Sequence, residues 1–287
     1  MRPQCEDSTV KETTVGKPGI KLSHAGEGEL VLFLHGVGGH RSNWREQLPV
    51  FAEHFLAAAW DMRGYGDSED YEGPLRFSDV CQDILDVMRY FKADAVHLVG
   101  LSMGGRIAFD FLHRYPEAVH SLTVCSASHR ASQMTPERRA KFLESRLAPL
   151  RAGKTPAEIA SGVAKSLLGP SASSAAYENL VGSMRALRTE GYAKALETVS
   201  SYEGEITLDT IEVPVHVVAA VDDPLIPIAL LRSMAQAIPD CRLTEIPDCG
   251  HLSNIERPQS FNAAVLDFLL DVKNRGATLD TGGMSRS

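Results

Sequence analysis

Short apolar segments alternate with amphipathic stretches along the first half of the chain. Residues 30–34 are all apolar, and residues 95–101 form a second, largely apolar run. Such runs are typical of strands that are buried on both faces of a parallel sheet. Residues 77–91 repeat apolar side chains at helical spacing, with acidic residues on the opposite face, which predicts an amphipathic helix. The same reasoning predicts a hairpin within 13–28, helices over 44–54 and from 103 to about 115, and strands over 55–60 and 121–125.

A different pattern occupies the middle of the chain. Residues 129–205 contain helix-like segments separated by short loops with proline and glycine, and they show no strand-like alternation. Consecutive helices inserted into an alternation of strands and helices predict a cap over the C-terminal edge of a sheet. The predicted cap helices are residues 136–147, 156–167, 177–188 and 191–202.

The alternation of strands and helices returns after residue 205. It predicts strands over 213–221 and 241–246, and helices over 228–237 and 261–272. The sequence therefore predicts an α/β protein with a mostly parallel central sheet, flanked by helices and carrying a helical cap insertion. The predicted domains are a disordered leader (1–12), a core in two parts (13–128 and 206–272), the cap (129–205) and a disordered tail (273–287).

Composition narrows the class of protein. The chain of 287 residues has a formal net charge of -8 and no basic stripe, which argues against a nucleic-acid partner. No segment reaches the roughly 18 uninterrupted apolar residues of a membrane span, and residues 1–10 lack an apolar signal core. The five scattered cysteines show neither metal-ligand nor disulfide spacing, so we expect reduced thiols in a cytoplasmic protein without a metal or cofactor. We expect a monomer or homodimer that acts on a small molecule.

A glycine–x–serine–x–glycine sequence joins the apolar run at 95–101 to the helix that follows. Ser102 lies between Gly100 and Gly104, and a strand before and a helix after are the context in which this motif forms a nucleophile elbow. Its small neighbours allow the strained turn that such a serine adopts. The amide of Met103 would begin the helix, where it can donate to a developing oxyanion. The alternative interpretation is an ordinary glycine-rich turn.

A serine nucleophile needs a base to accept its proton. Five histidines follow Ser102 in the chain. His251 directly follows the last predicted strand, which places it at the sheet edge where Ser102 emerges. The other four are expected at the far end of the sheet, at the start of the cap or inside a buried strand, and they are His113, His120, His129 and His216.

The base in turn needs an acid that fixes its tautomer. Asp222 and Asp223 both follow the strand predicted over 213–221, so the residues themselves leave the choice between them open. Two further charged residues, Asp61 and Arg63, lie in a glycine-rich loop after an earlier strand. We expect them to form a structural ion pair that braces this loop rather than to take part in catalysis.

Taken together, these motifs resemble the α/β-hydrolase family over roughly residues 13–272. The resemblance implies the α/β-hydrolase fold, and it favours Asp223 over Asp222 as the acid because Pro227 follows at the family's spacing. The matching segments are His35-Gly36-x-Gly38, Asp61-x-Arg63-Gly64-x-Gly66-x-Ser68, Gly100-x-Ser102-Met103-Gly104-Gly105, Asp223 with Pro227, and Gly250-His251.

The loop after the first buried strand is where that family finds its second oxyanion amide. The resemblance implies that the Val37 amide donates together with that of Met103, and that His35 and Gly36 border the substrate. A flexible turn and a fragment of a dinucleotide loop are the other interpretations. The dinucleotide reading is disfavoured, because the glycines do not complete the Gly-x-Gly-x-x-Gly motif.

Residues 250–258 and 190–192 further resemble the 3-oxoadipate enol-lactonases, which are cofactor-free enzymes that open an enol-lactone in aromatic catabolism. The resemblance implies hydrolysis of an ester or lactone through an acyl-enzyme. The alternatives are a general carboxylesterase, a C–C bond hydrolase, a cofactor-free perhydrolase with the same triad, and a ligand-binding receptor. If the substrate carries a carboxylate, Arg130, Arg185 or Arg188 of the predicted cap could bind it.

Overall fold

The computed structural model describes the backbone of residues 10–282 and the side chains of residues 10–275. An eight-stranded sheet lies at its centre. Its strands are β1 (Lys11–Val15), β2 (Ile20–Ala25), β3 (Leu30–Leu34), β4 (Leu56–Trp60), β5 (Val96–Leu101), β6 (Val119–Cys125), β7 (Val215–Ala220) and β8 (Cys241–Ile246). They lie side by side in the order β1-β2-β4-β3-β5-β6-β7-β8. The pairs β1–β2 and β2–β4 are antiparallel and the other neighbours are parallel, which confirms the predicted α/β class and the hairpin.

The central strands β3 and β5 are the apolar runs of the sequence, and every residue in both is buried. They pair in register from Leu30 opposite Val96 to Leu34 opposite Gly100. Removing such side chains from water stabilises the fold by roughly 1.5–3 kcal/mol for each large aliphatic residue. Because parallel strands point in one direction, the loops that follow β3, β5, β7 and β8 leave from the same edge of the sheet.

Helices connect the strands and pack against the sheet. They are α1 (Leu48–Phe51), α2 (Phe77–Phe91), α3 (Met103–Arg114), α4 (Pro136–Arg151), α5 (Pro156–Leu167), α6 (Ser174–Arg185), α7 (Thr189–Ser201), α8 (Ile228–Ala237), α9 (Ser253–Glu256) and α10 (Pro258–Gly282). Helices α4–α7 follow one another between β6 and β7, where the sequence predicted consecutive helices, and they pack as the pairs α5–α6 and α4–α7. Within residues 10–282, no helix combines the length and apolar character that a membrane crossing requires.

The helix predicted over residues 44–54 is wrong. The structure has a 3-10 turn at Arg41–Trp44 and then only the short helix α1. Pro49 in α1 has no N–H to donate to the preceding turn, so a regular helix does not run through it. Two side chains from later in the chain also donate to carbonyl oxygens in and next to this segment. Asn254 donates to the carbonyl of Asn43 at 2.9 Å, and Asn262 donates to that of Glu46 at 2.8 Å.

The disordered leader predicted over residues 1–12 differs from the structure where the structure describes it. Residues 11–12 begin β1 and pair with β2. Glu12 also forms an ion pair with Lys21 at 3.0 Å, which helps to hold the strand on the sheet. Residues 1–9 lie outside the described residues.

The disordered tail predicted from residue 273 also differs. Helix α10 does not end at residue 272 but continues to Gly282. Lys273 donates to the carbonyl oxygen of His54 at 3.1 Å, and Arg275 pairs with Asp271 at 2.7 Å, so the helix keeps anchoring contacts past the predicted end. Residues 283–287 lie outside the described residues.

Asp61 and Arg63 are not paired with each other. Asp61 pairs with Arg41, and Arg63 forms a two-pronged ion pair with Asp83, with both N–O distances at 2.7 Å. The loop is therefore braced by ion pairs, as predicted, but the partners come from the turn at residues 41–44 and from α2. Because these partners are distant in the sequence from Asp61 and Arg63, the sequence pattern did not reveal the two pairs.

Candidate active site

Ser102 stands between β5 and α3 in a strained backbone conformation, with φ 54° and ψ -111°. A positive φ is unfavourable for a residue with a side chain and persists only where the surroundings enforce it. Here the Ser102 amide donates to the carbonyl of Cys125 at 2.9 Å. The Ser102 carbonyl accepts from the amides of Gly105 at 3.0 Å and Arg106 at 3.3 Å. These bonds fix the sharp turn that the sequence predicted.

Two glycines make the turn possible by their lack of a side chain. A Cβ on Gly104 would lie 2.1 Å from the carbonyl oxygen of Leu34, and one on Gly100 would lie 2.4 Å from that of Gly104. Helix α3 consequently starts in direct backbone contact with the end of β3. Ser102 is thereby brought beside the loop that follows β3.

That loop runs past Ser102 at close range. A Cβ on Gly36 would lie 3.3 Å from the Cβ of Ser102. The Tyr65 hydroxyl donates to the carbonyl of Val37 at 3.0 Å and so helps to fix the orientation of the loop. Among the described residues, the amides of Val37 and Met103 have no acceptor. Both N–H groups are therefore free to donate to a bound oxyanion.

His35 supports this loop from behind. Its Nδ1–H donates to the carbonyl of Gly36 at 2.8 Å, and its Nε2 accepts from the amide of Met62 at 3.1 Å, a pattern that requires the neutral ring. Burial lowers the pKa of His35 to about 4. The side chain packs against Tyr65 and does not line the cavity around Ser102, so the expectation that His35 borders the substrate is wrong. Gly36 does line that cavity.

His251 and Asp223 form a buried pair. Nδ1 of His251 lies 2.8 Å from Oδ2 of Asp223, and their side chains are 3% and 0% exposed. Oδ1 of Asp223 accepts from the amides of Leu225 at 2.8 Å and Ile226 at 3.0 Å. Burial favours the neutral carboxyl, but the His251 interaction and the two amides outweigh it and lower the pKa of Asp223. Asp222 is exposed and contacts this region through its backbone amide.

Glu256 holds the loop that carries His251, and the sequence reasoning missed it. Its carboxylate accepts from the amides of Gly250 at 3.0 Å and Leu252 at 3.1 Å, which flank His251. It also accepts from the amide of Gly169 at 2.8 Å, just after α5. Glu256 is therefore a positioning residue for His251. The signal that could have revealed it is an acid in the helical turn directly after the histidine.

A cavity joins these groups. Its lining includes Ser102 and His251 on the sheet side and residues of α4–α7 on the other. Most of the lining is apolar. Of the four residue types lysine, arginine, aspartate and glutamate, the described lining contains only arginine. Among the described residues, no aspartate or glutamate lines it. The arginines are Arg106, Arg139 and Arg146.

Comparison with known proteins identifies the family. A family model described as the alpha/beta hydrolase fold matches residues 29–258. The chain belongs to the α/β-hydrolase family. It is 26% identical to 3-oxoadipate enol-lactonase 2 of Acinetobacter baylyi over 82% of this chain and 86% of that enzyme. It is 27% identical to the putative non-heme bromoperoxidase BpoC of Mycobacterium tuberculosis, over 86% and 96% of the two chains.

The structure of a thermophilic esterase from Thermogutta terrifontis with malate bound is also similar. It superposes with a TM-score of 0.80 and 26% identity, over 92% of this chain and 99% of the esterase. The family and these relatives support a hydrolytic enzyme. The relatives differ in the reactions that their names give, so the substrate has to be argued from the site.

In this α/β-hydrolase, the three arginines predicted to bind a substrate carboxylate do not line the cavity. Arg130 donates to the carbonyl of Gly204 at 3.0 Å, and Arg188 pairs with Asp70 at 2.8 Å. Arg185 is exposed. Those predictions rested on position within the predicted cap alone, and Arg130 and Arg188 stand directly before helical segments, where their side chains bond to neighbouring loops.

The three arginines that do line the cavity were missed. Arg106 stands one helical turn beyond Ser102, a spacing that places both on one side of α3 and could have been used. Arg146 lies on α4 among the buried residues Leu147 and Leu150. A charge within the apolar face of a helix was the available signal for Arg146.

Proposed function

We propose that this protein is a serine hydrolase that cleaves an ester or lactone bond of a small molecule through an acyl-enzyme. The observation that carries the proposal is the buried 2.8 Å contact between His251 and Asp223, together with the cavity that His251 and Ser102 both line. A histidine oriented by an ionised acid, beside a serine held at a sharp turn, has the parts that nucleophilic catalysis needs.

In the proposed mechanism, His251 Nε2 accepts the proton of the Ser102 hydroxyl as Oγ attacks the carbonyl carbon. Asp223 accepts the Nδ1–H bond, which keeps Nε2 free for the proton and stabilises the imidazolium. The amides of Val37 and Met103 donate to the oxyanion, and each is worth roughly 3 kcal/mol in the transition state.

The tetrahedral intermediate then expels the leaving oxygen, which takes the proton from His251 and departs as an alcohol. In a lactone the alcohol remains attached to the acyl group. A water molecule gives its proton to His251 and attacks the acyl carbon, and the released Ser102 oxygen regains that proton. The products are a carboxylic acid and an alcohol, with the enzyme unchanged.

Two substrate types follow from the relatives. Similarity to the A. baylyi enol-lactonase favours a lactone, with the enol-lactone of 3-oxoadipate as the first candidate. Similarity to the T. terrifontis esterase favours a simple carboxylic ester. Both substrates use the same three side chains, so the substrate profile decides between them.

The experiment compares hydrolysis of p-nitrophenyl acetate, p-nitrophenyl butyrate, simple lactones and the 3-oxoadipate enol-lactone. Ser102→Ala is expected to lower kcat by about 10⁴-fold or more on every substrate that the enzyme accepts. Ser201→Ala is the matched control, since this exposed serine bonds only to carbonyls of its own helix, and it should stay within about twofold of wild type.

A strong preference for the enol-lactone assigns a lactonase, and a preference for short esters assigns a carboxylesterase. Hydrolysis by Ser102→Ala at the wild-type rate contradicts the acyl-enzyme mechanism. Binding of these compounds without turnover by the wild-type protein would instead favour a ligand-binding role.

A further inference from the structure

Arg146 is a buried cation in the candidate active site. It is 8% exposed and lines the same cavity as Ser102 and His251. Its guanidinium donates to the carbonyl of Phe142 at 3.3 Å, and to the hydroxyls of Ser145 at 2.9 Å and Ser166 at 3.2 Å. All of these acceptors are neutral. Among residues 10–275, no carboxylate lies within ion-pair distance of it.

The other two cavity arginines have partners that account for their positions. Arg139 forms an ion pair with Glu203 at 3.6 Å. The guanidinium of Arg106 donates to backbone carbonyls and to the hydroxyl of Ser128. Its bond to the carbonyl of Val199 connects α3 to α7. Arg146 differs from Arg139 in having no charged partner among the described residues. Outside its own helix it donates to the hydroxyl of Ser166 on α5 at 3.2 Å, whereas Arg106 donates to backbone carbonyls of other segments.

A buried charge without an opposite charge is costly, since water no longer solvates it. The face of the Phe142 ring offsets part of this cost, with the guanidinium carbon 4.2 Å from the ring centre. Burial still lowers the pKa of Arg146, in line with a charge that its neutral partners offset only in part. The sequence thus keeps a cation at a place where leucine or methionine would pack without this penalty.

We infer that Arg146 binds a carboxylate of the substrate, so that the enzyme acts on esters or lactones that carry a carboxylate apart from the bond that is cleaved. A planar guanidinium matches the two oxygens of a carboxylate, and such charge-assisted bonds are stronger than neutral ones. The inference rests on the proposed hydrolysis at Ser102, and it names the substrate class of that site.

Two further features favour a carboxylate at this position. The Tyr192 hydroxyl lies beside Arg146 in the cavity lining and its oxygen accepts a hydrogen bond from the guanidinium, while burial raises the pKa of Tyr192 to about 12, so the hydroxyl keeps its own proton to donate. The described lining also holds no acidic side chain that would repel an anion, although the whole chain has a net charge of -8. The cavity is thus locally positive in an acidic protein.

The test compares two substrates that differ only in this charge, mono-p-nitrophenyl glutarate and its methyl ester. The proteins are wild type, Arg146→Met, Arg146→Lys and Arg151→Met, which removes an exposed arginine from the same helix. Arg146→Met should lower kcat/KM for the glutarate about 10- to 100-fold and change the methyl ester about twofold at most. Arg146→Lys should recover part of the loss, and Arg151→Met should match wild type.

Equal effects of Arg146→Met on both esters, or none on either, would overturn the inference. Arg139→Met is added to the same comparison, and a larger selective loss for the glutarate in that variant would overturn the assignment to Arg146. Denaturation curves check that each variant is folded, so that an equal loss of both activities in a folded variant counts against the inference.

Binding separates this inference from the proposed function. Calorimetric titration of Ser102→Ala with glutarate, at constant ionic strength, should show binding that the Ser102→Ala/Arg146→Met double variant weakens at least about tenfold. Equal binding of glutarate by the two variants would contradict the carboxylate site but not the proposed mechanism. Undiminished hydrolysis by Ser102→Ala would contradict the proposed mechanism but not the carboxylate site.

Discussion

The two walls of the cavity are built differently. On the sheet side, Ser102, Asp223 and His251 stand on loops that leave one edge of the sheet, and backbone hydrogen bonds fix each of them. On the other side, helices α4–α7 contribute mostly apolar side chains together with Arg146.

The difference assigns separate tasks to the two walls. In the proposed mechanism, the sheet wall holds the reacting groups in strained or buried positions that tolerate little change. In the same proposal, side chains of the helical wall contact the substrate, and replacing them alters shape and charge without moving the reacting groups. Changes in the sheet wall should therefore abolish the reaction, and changes in the helical wall should redirect it.

The strongest test of the sheet wall is Asp223→Asn. The substitution keeps the shape of the side chain but removes the charge that orients and stabilises His251, so kcat should fall about 10³- to 10⁴-fold. Asp222→Asn is the matched control on the neighbouring exposed residue and should keep wild-type kcat. Steady-state kinetics on the preferred ester measure both. A larger fall in kcat for Asp222→Asn than for Asp223→Asn would show that the pair of His251 and Asp223 is only structural.

A pair of glycine substitutions tests the difference in packing. Gly104→Ala pushes a Cβ into the backbone of Leu34 at 2.1 Å, so we expect a loss of about 3 kcal/mol or more in the free energy of unfolding. Gly162→Ala on α5 meets nothing within 4 Å and should stabilise by up to about 1 kcal/mol. Chemical denaturation measures both. If Gly104→Ala is tolerated, the sheet wall is less rigid than its contacts indicate.

More of the residues in the sheet wall than in the helical wall could be predicted from the sequence. Ser102 follows the buried apolar strand β5, whose end fixes where the next residue emerges, and His251 lies in the loop after the last strand, β8. Glu256 was missed because its role depends on three backbone amides, one of them 87 residues away. Arg146 was missed because it is distinguished by the lack of a carboxylate partner among the described residues, and the periodicity of the sequence does not reveal such a feature. The helix over 44–54 was wrong because Pro49 and two asparagine contacts outweighed the apolar pattern.

The pH dependence of stability offers a test of the loop behind the oxyanion amides. Burial lowers the pKa of His35 from an ordinary 6.5 to about 4, so the folded state prefers the neutral ring. Below pH 6.5 the unfolded chain binds a proton that the folded chain does not, and stability is lost as the pH falls towards 4. The loss attributable to His35 should reach about 3 kcal/mol.

His35→Gln should remove that component. Urea denaturation from pH 4.5 to 7.5 should show a shallower loss of stability in the variant by about one proton in slope. His216, whose pKa burial lowers to about 3, is present in both proteins and cancels in the comparison. Parallel curves would show that His35 is not held neutral by the loop.

The smallest expected effect on kcat comes from a substitution at Glu256, which contacts both walls. Glu256 joins the amides around His251 to that of Gly169 at the end of α5, so it couples the position of the base to the helical wall. Glu256→Gln turns one acceptor into a donor facing these amides, which should displace His251 slightly. We expect kcat to fall about tenfold with little change in KM, since the side chains lining the cavity are untouched.

Glu245→Gln provides the control, because that exposed carboxylate pairs with Arg232 away from the cavity lining. The pH profile of kcat/KM, measured where denaturation curves show the variant to be fully folded, separates positioning from simple loss of stability, because the profile reports the essential acid and base groups. A shifted profile in Glu256→Gln supports coupling between the walls. A uniform loss would mean that Glu256 only stabilises the loop, and that the sheet wall orients His251 through Asp223 without help from the helices.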